Sequence, residues 1–573
     1  MMTFNQLKKN LKKDVSGFKT IKVAVLADSA SQFICDAIKG YGIHAQINFD
    51  IYEADYSQID LQVFDPTSEL YESKPDFVII NKCTEKLQKE FYKKDRAGKA
   101  HFAEYIQQTT RKYYETITSR MKAKVIVNTF LETTDGVFGN YAAKTDASFL
   151  YQVRKSNLFL MDLAQQLKDL FVCDLNAIQS EIGHVNAFDS KMYVSADMVY
   201  SLDFLPYIGQ HVTQIIQAVT GTFKKCLILD LDNTTWGGII GDDGVEGIQV
   251  GYLGLGKVFS ELQTWAKQLK ERGIILAVCS KNTEEIAKEP FQTHPDMVLR
   301  LEDIAIFVAN WQTKVENIRH IQAVLNIGFD SMVFLDDNPF EREMVKTGIP
   351  DVTVPELPED PSEYLSYVKS LNLFETASYT EEDETRTKQY QEEAQRNQFQ
   401  MSFENENDFL GSLEMVSEVK AFDDFSIPRV AQLTQRSNQF NLRTIRYTEE
   451  DLKAMKKNDN YITMSLTLED KFGNHGLIGI IILEKKDSNT LFVDSWIMSC
   501  RVLKRGMERF TLNTIVEKAN ALGFKKIVGE YIPTKKNGLV KNHYVDLGFV
   551  SEGEYWVLDV ASFEPTLVHI DKK

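Results

Sequence analysis

The sequence predicts a multidomain α/β protein built largely on parallel sheets, and three observations carry that prediction. At 573 residues the chain exceeds what one hydrophobic core usually supports, so two to four domains are expected. Short apolar runs in its first two thirds end in polar clusters, as buried parallel strands do when they deliver their carboxyl ends to one rim. From about Phe409 the pattern changes to a mixed α+β arrangement. The expected division is 1–220, 221–375 and 405–573, with a helical connector at 376–404.

In the first domain Ile21–Ala27, Phe77–Ile80 and Lys124–Asn128 read as buried strands, and Leu87–Met121 is charged and helical. Gly136–Asn140 reads as a structural turn. In the second domain the strands are Cys226–Leu229, Ile274–Val278 and Met332–Leu335. Few residues separate Thr234 from the helix expected near Lys257, which leaves no room for a large cap; a glycine-rich flap from Gly237 to Gly256 covers the site instead. Thr380-Glu-Glu-Asp383 is a helix-start pattern, and the charged sequence to Arg396 should continue as an exposed spacer helix. In the last domain Ile462–Leu468, Gly476–Leu483 and Leu491–Met498 read as strands, and Ser499-Cys500-Arg501-Val502-Leu503-Lys504-Arg505-Gly506-Met507 opens a long helix.

Composition narrows the function classes. The 43% hydrophobic content is ample for packed cores, and no apolar run approaches the roughly 20 residues of a membrane span. Met1–Lys13 is lysine-rich and lacks the apolar core of a signal peptide, so a cytoplasmic location is expected. Cys35, Cys83, Cys173, Cys226, Cys279 and Cys500 lie far apart without metal-ligand spacing, and disulfides are not expected. A net charge of -17 argues against nucleic-acid binding, which needs a basic face to displace counterions. Arg501, Lys504, Arg505 and Arg509 are the candidate basic patch for an acidic partner, or simply a solvated helix face.

The chemistry concentrates in Ile228-Leu229-Asp230-Leu231-Asp232-Asn233-Thr234-Thr235-Trp236. Alternate residues of a strand share a face, so Asp230 and Asp232 should project together from the strand's carboxyl end. Carboxylates that close repel each other unless a cation sits between them or they divide into two roles. Magnesium-dependent phosphoryl transfer, with one Asp as nucleophile and the other as general acid/base, needs that arrangement; a solvated Asp-x-Asp turn is the plain alternative. Further on, Cys279-Ser280-Lys281-Asn282 offers a hydroxyl for a phosphate oxygen. Asn310-Trp311-Gln312-Thr313-Lys314 places a lysine at a helix start, and Asp336-Asp337-Asn338-Pro339 follows a third strand.

This order resembles the four motifs of the haloacid dehalogenase (HAD) phosphatase superfamily. The resemblance implies that Asp230 attacks phosphorus and forms an aspartyl-phosphate, while Asp232 protonates the leaving group and then activates water. It implies Thr234, Ser280, Lys281 and Lys314 as the phosphate-binding set. Mg2+ is expected on Asp230, the backbone carbonyl of Asp232 and one of Asp336 or Asp337, with Asp337 favoured as ligand and Asp336 as partner of Lys314.

A finer resemblance rests on Leu229–Gly241, Ala277–Asn282, Glu289-Pro-Phe291, His294–Leu299, Asn310-Trp311, Phe334–Glu343, Val354–Pro358 and Phe440-Asn-Leu-Arg-Thr444. These runs are similar to the FkbH-like proteins, although Thr235 stands where that family usually has leucine. The resemblance implies that 1,3-bisphosphoglycerate supplies a phosphorylated three-carbon acyl group. Its phosphate is then removed, and the glyceryl group passes to the phosphopantetheine thiol of an acyl carrier protein.

The flanking domains carry weaker likenesses. Asp28-Ser29 after the first strand resembles the Gly-Asp-Ser block of SGNH hydrolases, but no Asp-x-x-His block exists to supply a base. The first domain is therefore read as SGNH-like without hydrolase activity, binding carrier or substrate instead. The turn at Arg501, Arg505 and Gly506, with Asn537, Asn542, Tyr544 and Leu547-Gly-Phe549, resembles the GNAT acyltransferase fold, and Arg501, Arg505, Gly506, Asn537 and Tyr544 are the expected contacts to a carrier's phosphopantetheine or to CoA. A cysteine thiolate is the simplest route from acyl phosphate to thioester; Cys500 and Cys279 are the two candidates, the former favoured. Two other readings stay open: a HAD phosphatase fused to an acyl-CoA-dependent acyltransferase in polysaccharide biosynthesis, and a non-catalytic scaffold.

Overall fold

Val23–Ala27, Phe77–Asn81 and Val125–Asn128 are nearly continuous buried runs, the pattern of strands covered on both faces. The structure is a computed structural model that describes residues 2–573 apart from 135, 380–387, 393–395, 397–398, 400–402, 404, 500 and 501. It divides into two compact units, Met1–Gln217 and Ala218–Lys573.

The first unit is a parallel sheet of β1 (Lys19–Ala27), β2 (Ile47–Glu53), β3 (Phe77–Asn81), β4 (Lys124–Asn128) and β5 (Leu170–Cys173), in the order β2-β1-β3-β4-β5. The expected helical stretch resolves into Thr84–Tyr92, Arg96–Ala100 and Phe102–Arg120. Sequence reasoning missed β2 and β5, the two edge strands. An edge is only partly covered, so its apolar run is weaker: β2 alternates Ile47, Phe49 and Ile51 with Asn48, Asp50 and Tyr52.

The second unit begins with β6 (Cys226–Leu229), β7 (Ile275–Ser280), β8 (Ile306–Ala309) and β9 (Met332–Leu335), all parallel in the order β8-β7-β6-β9. Period-2 alternation divides the core cleanly. Leu227, Leu229, Leu276, Val278, Val333 and Leu335 face one layer; Cys226, Ile228, Ile275, Ala277, Cys279, Met332 and Phe334 face the other. Here too the strand that sequence missed, β8, is an edge. The flap contains a helix, Ile240–Gly247, broken at Gly244, whose φ of 67° is left-handed backbone that glycine adopts without strain. The next helix is Gly254–Glu271.

The same unit continues into a nine-stranded sheet. Its members are β10 (Met415–Ser417), β11 (Val419–Lys420), β12 (Tyr461–Asp470), β13 (Gly473–Lys485), β14 (Thr490–Met498), β15 (Lys526–Glu530), β16 (Val550–Glu552), β17 (Tyr555–Asp559) and β18 (Ile570–Lys572). Pairing is antiparallel except for β10 with β18 and β14 with β15. The β14–β15 ladder ends at Phe492↔Val528 although both strands continue.

The connector departs from the expected exposed spacer. Thr380–Asp383 lies outside the described residues, but Tyr390 and Arg396 are buried. Tyr390 joins the apolar layer under β6–β9, and Gln391 donates to the carbonyl of Ile304 (2.9 Å). Arg396 pairs with Asp470 of β12 through Nε (2.7 Å) and Nη2 (2.9 Å). The charged sequence misled because Arg396 meets its partner 74 residues away.

Candidate active site at the carboxyl ends of β6, β7 and β9

Three local devices bring the polar groups together. A capping box, in which Thr313 Oγ1 accepts from Glu316 N and the Glu316 carboxylate takes Thr313 N, starts helix Lys314–Leu325 and sets Lys314 in its first turn; such a cap stabilises a helix by about 1 kcal/mol. Asn338 caps helix Pro339–Gly348 by accepting from Phe340 N (2.9 Å). Arg342 in that helix donates to the carbonyls of Asp336 (2.9 Å) and Asp337 (2.6 Å), fixing the acidic loop after β9.

At the centre the Lys314 ammonium donates to Asp230 Oδ1 and lies 3.0 Å from Asp336 Oδ2. It also donates to the carbonyl of Cys279 (3.0 Å). Burial works against a charged lysine, yet Asp230 and Asp336 hold Lys314 well above the usual lysine range. Burial pushes the Asp230 carboxyl up, with Asp336 adding to the effect and Lys314 opposing it. Asp336 is raised by burial against the same lysine, and Asp337 is raised by burial and by Asp230. One ammonium does not balance three carboxyls out of water.

Carboxylate oxygens of Asp230, Asp336 and Asp337 lie within 4.8 Å of one another. An all-oxygen donor set short of positive charge fits a hard divalent cation such as Mg2+. The Asp232 carboxylate is elsewhere: Oδ1 accepts from Trp236 Nε1 and Ile240 N (both 3.0 Å), and Oδ2 accepts from Asn282 Nδ2 (2.9 Å). Any contact of Asp232 to a metal would therefore come from its backbone carbonyl.

The remaining predicted residues divide. Ser280 ends β7 with its hydroxyl accepting from Asn282 Nδ2 (3.1 Å). Lys281 forms an ion pair with Glu341 (2.5 Å) at a half-exposed position. Thr234 is buried and its hydroxyl serves Asp337, accepting from Asp337 N (2.9 Å) and donating to Asp337 Oδ1 (3.3 Å), so it holds the acidic loop.

The Cys279 thiol has no exposed surface and packs in the apolar layer with Ile318 and Phe334, 4.0 Å from the carbonyl of Lys314. Burial pushes it up to about 12, where thiolate is scarce, which weighs against a role as acyl carrier. Cys500 and Arg501 lie outside the described residues. Three expected ligand contacts are interior instead. Arg505 is buried against His475 (2.9 Å) and Asp470 (3.4 Å). Asn537 spends its amide on Asn441 O, Ile532 O and Thr534 N. Tyr544 packs its ring against Gly529 and Trp496. Gly506, at φ 82°, caps helix Met507–Ala521.

Sequence reasoning missed Trp236, Asn282, Arg342 and Thr235. Thr235 donates to the carbonyl of Asp230 (2.6 Å) and so pins the loop from which Asp230 projects. Trp236, Asn282 and Arg342 stood inside motif runs, but their side-chain roles had no signal of their own. Among the described residues no helix is long and apolar enough to cross a membrane, and the described cysteines are free and buried.

Comparison with known proteins gives a strong relative. The N-terminal part of a Bacteroides fragilis protein, described as containing a phosphatase domain and complexed with Mg, shares 50% sequence identity. The match covers 66% of this chain and 100% of that one, at a TM-score of 0.64. The ribosomal-protein-S18-alanine N-acetyltransferase of Escherichia coli is 12% identical, over 26% of this chain and 99% of its own, at a TM-score of 0.21. The spermidine N-acetyltransferase of Vibrio cholerae in complex with CoA and spermine is 15% identical, over 25% and 96%, at 0.21. Likenesses that slight carry no argument. No curated protein matches. The family model of the FkbH N-terminal domain matches residues 22–217. Half identical to the Bacteroides fragilis protein over the whole of that relative's length, the chain belongs to the same family of proteins containing a phosphatase domain, and its residues 22–217 match the FkbH N-terminal domain.

Proposed function

We propose that this chain is a HAD-type, magnesium-dependent phosphatase that also transfers a glyceryl group. The observation that carries the phosphatase reading is the convergence of Asp230, Lys314, Asp336 and Asp337 beside Ser280, at the carboxyl ends of adjacent parallel strands. The Mg-complexed phosphatase domain of the half-identical relative supports it.

Asp230 attacks phosphorus to form an aspartyl-phosphate, and Asp232 gives its proton to the leaving oxygen and then takes one from the attacking water. Ser280 and Lys314 hold the phosphoryl oxygens, and Lys281 is released from Glu341 to join them. Mg2+, held by Asp230, the backbone carbonyl of Asp232 and Asp336 or Asp337, would supply positive charge that offsets the carboxylate and phosphoryl charges.

The finer reading is that the substrate is the phosphoglyceryl group of 1,3-bisphosphoglycerate and the acceptor a phosphopantetheine thiol on an acyl carrier protein. In the transfer the thiol sulfur bonds to the acyl carbon, the acyl C–O bond breaks, and phosphate leaves. Cys500 is the thiol proposed to carry the group between donor and carrier. The SGNH-like first unit, with Ser29 at the end of β1, is proposed to bind carrier or substrate. The parting of β14 from β15 supports a GNAT-like groove for an extended thioester arm, which keeps acyl-CoA-dependent acyl transfer as the second reading. A cytoplasmic location completes the proposal.

Incubation with 1,3-bisphosphoglycerate and holo carrier proteins, followed by intact mass measurement, tests the whole sequence. Wild type should load glyceryl on a carrier. Asp230→Asn should load or retain phosphoglyceryl instead, and lose phosphate release by about a thousandfold or more. Transfer only from acyl-CoA, with no mass added from bisphosphoglycerate, would favour the second reading.

A further inference from the structure

Asp232 lies in a socket of three donors, two of them side chains. Trp236 Nε1 and Ile240 N reach Oδ1 at 3.0 Å, and Asn282 Nδ2 reaches Oδ2 at 2.9 Å. A carboxylate bound on both oxygens from three directions has no freedom to rotate. Asn282 Nδ2 also donates to Ser280 Oγ at 3.1 Å. An amide NH2 has two hydrogens, so a single group ties the acid/base carboxylate to the phosphate-binding hydroxyl. Because Ser280 accepts from Asn282, its own hydrogen is directed elsewhere.

The socket is itself held. Trp236 has no exposed surface and meets Phe291 edge to face at 5.8 Å, which fixes the indole. Gln263 Nε2 donates to the carbonyl of Thr235 (2.8 Å), pinning the backbone beside the tryptophan. Ile240 opens the flap helix Ile240–Gly247, so the third donor moves only if the flap moves.

We propose that Trp236 and Asn282 are the positioning residues of the general acid, setting the Asp232 carboxyl at a fixed reach from the leaving oxygen of a phosphate bound at Ser280. The proposal rests on the phosphatase reading above. Its consequence is selective: misplacing a general acid penalises a leaving group that needs a proton and spares one that departs as a stable anion.

The test compares kcat/KM for an alkyl phosphate and for p-nitrophenyl phosphate in Trp236→Phe and Asn282→Ala. Trp236→Phe keeps a ring against Phe291 and removes the N–H; Asn282→Ala leaves the flap alone and carries the test if the tryptophan variant fails to fold. Positioned proton transfer contributes about 10²–10⁴-fold, so each variant should lose roughly 10- to 100-fold on the alkyl ester and under about 3-fold on the nitrophenyl ester. Asp232→Asn should show the same selectivity at larger size. Equal losses on both esters, or none on the alkyl ester, would overturn the positioning role. Phosphate release surviving in Asp230→Asn would instead overturn the phosphatase reading itself, so the two failures are distinguishable.

Discussion

At the scale of single residues, His543 gives a prediction independent of the phosphatase site. Its ring is buried against Trp496 (centroids 4.5 Å) and Phe440 (4.9 Å), and burial lowers its pKa to about 3. Between that value and the roughly 6.5 of an unfolded histidine the unfolded chain binds one more proton than the folded one. Stability therefore rises with pH across this window, is complete above the unfolded value, and is lost as pH falls below it. From pH 7 to pH 5 the wild type should lose about 2 kcal/mol more than His543→Leu, measured by urea unfolding at each pH. Parallel pH dependences would show that the imidazole is protonated in the fold. Residues such as Asp230, Ser280 and Asp336 were legible in the sequence because each follows an apolar run, and Lys314 was legible as a lysine at a helix start. Trp236 and Asn282 were not, since the partner they share, Asp232, gives no sign of which donors it recruits.

At the scale of elements, the connector is a clamp whose strength lies in one carboxylate. Asp470 accepts from Arg396 (2.7 and 2.9 Å), lies 3.4 Å from Arg505 and 3.3 Å from His475 Nε2, and has no exposed side-chain surface. Burial raises its carboxyl, but His475 and Arg396 outweigh that and hold it far below the usual carboxylate range. Asp470→Asn would leave two buried guanidinium groups without their counter-charge, a change that typically costs about 3–5 kcal/mol. The urea midpoint should fall accordingly while folded enzyme keeps its phosphate release; an unchanged midpoint would mean the cluster contributes no net stability. Central strands such as β3 and β6 were readable to within a residue from apolar runs, and so was β9, an edge strand whose four residues are all buried. The edge strands β2, β5 and β8 were not, because one side of an edge lacks the burial that writes such a run. The connector failed for a related reason, as a long-range ion pair looks like a solvated charge in sequence.

At the scale of the whole molecule, the two compact units place the five-stranded parallel sheet in one and the four-stranded and nine-stranded sheets in the other. The second unit holds the phosphatase and C-terminal sheets together through the connector, Lys536 with Asp330, and Asn438 Nδ2 donating to Gly221 O (3.0 Å). The change from parallel to largely antiparallel sheets was legible from the shift in strand pattern; that shared packing was not, because no motif marks it. The proposed phosphatase chemistry requires that Asp230 become phosphorylated in a magnesium-dependent reaction. Acid quench during turnover, borohydride reduction of any acyl-phosphate and peptide mass mapping test it most directly. Reduction is expected at Asp230 alone, present with Mg2+ and absent after chelation with EDTA. Phosphate release with the modification on another residue, or with full labelling after exhaustive chelation, would contradict it.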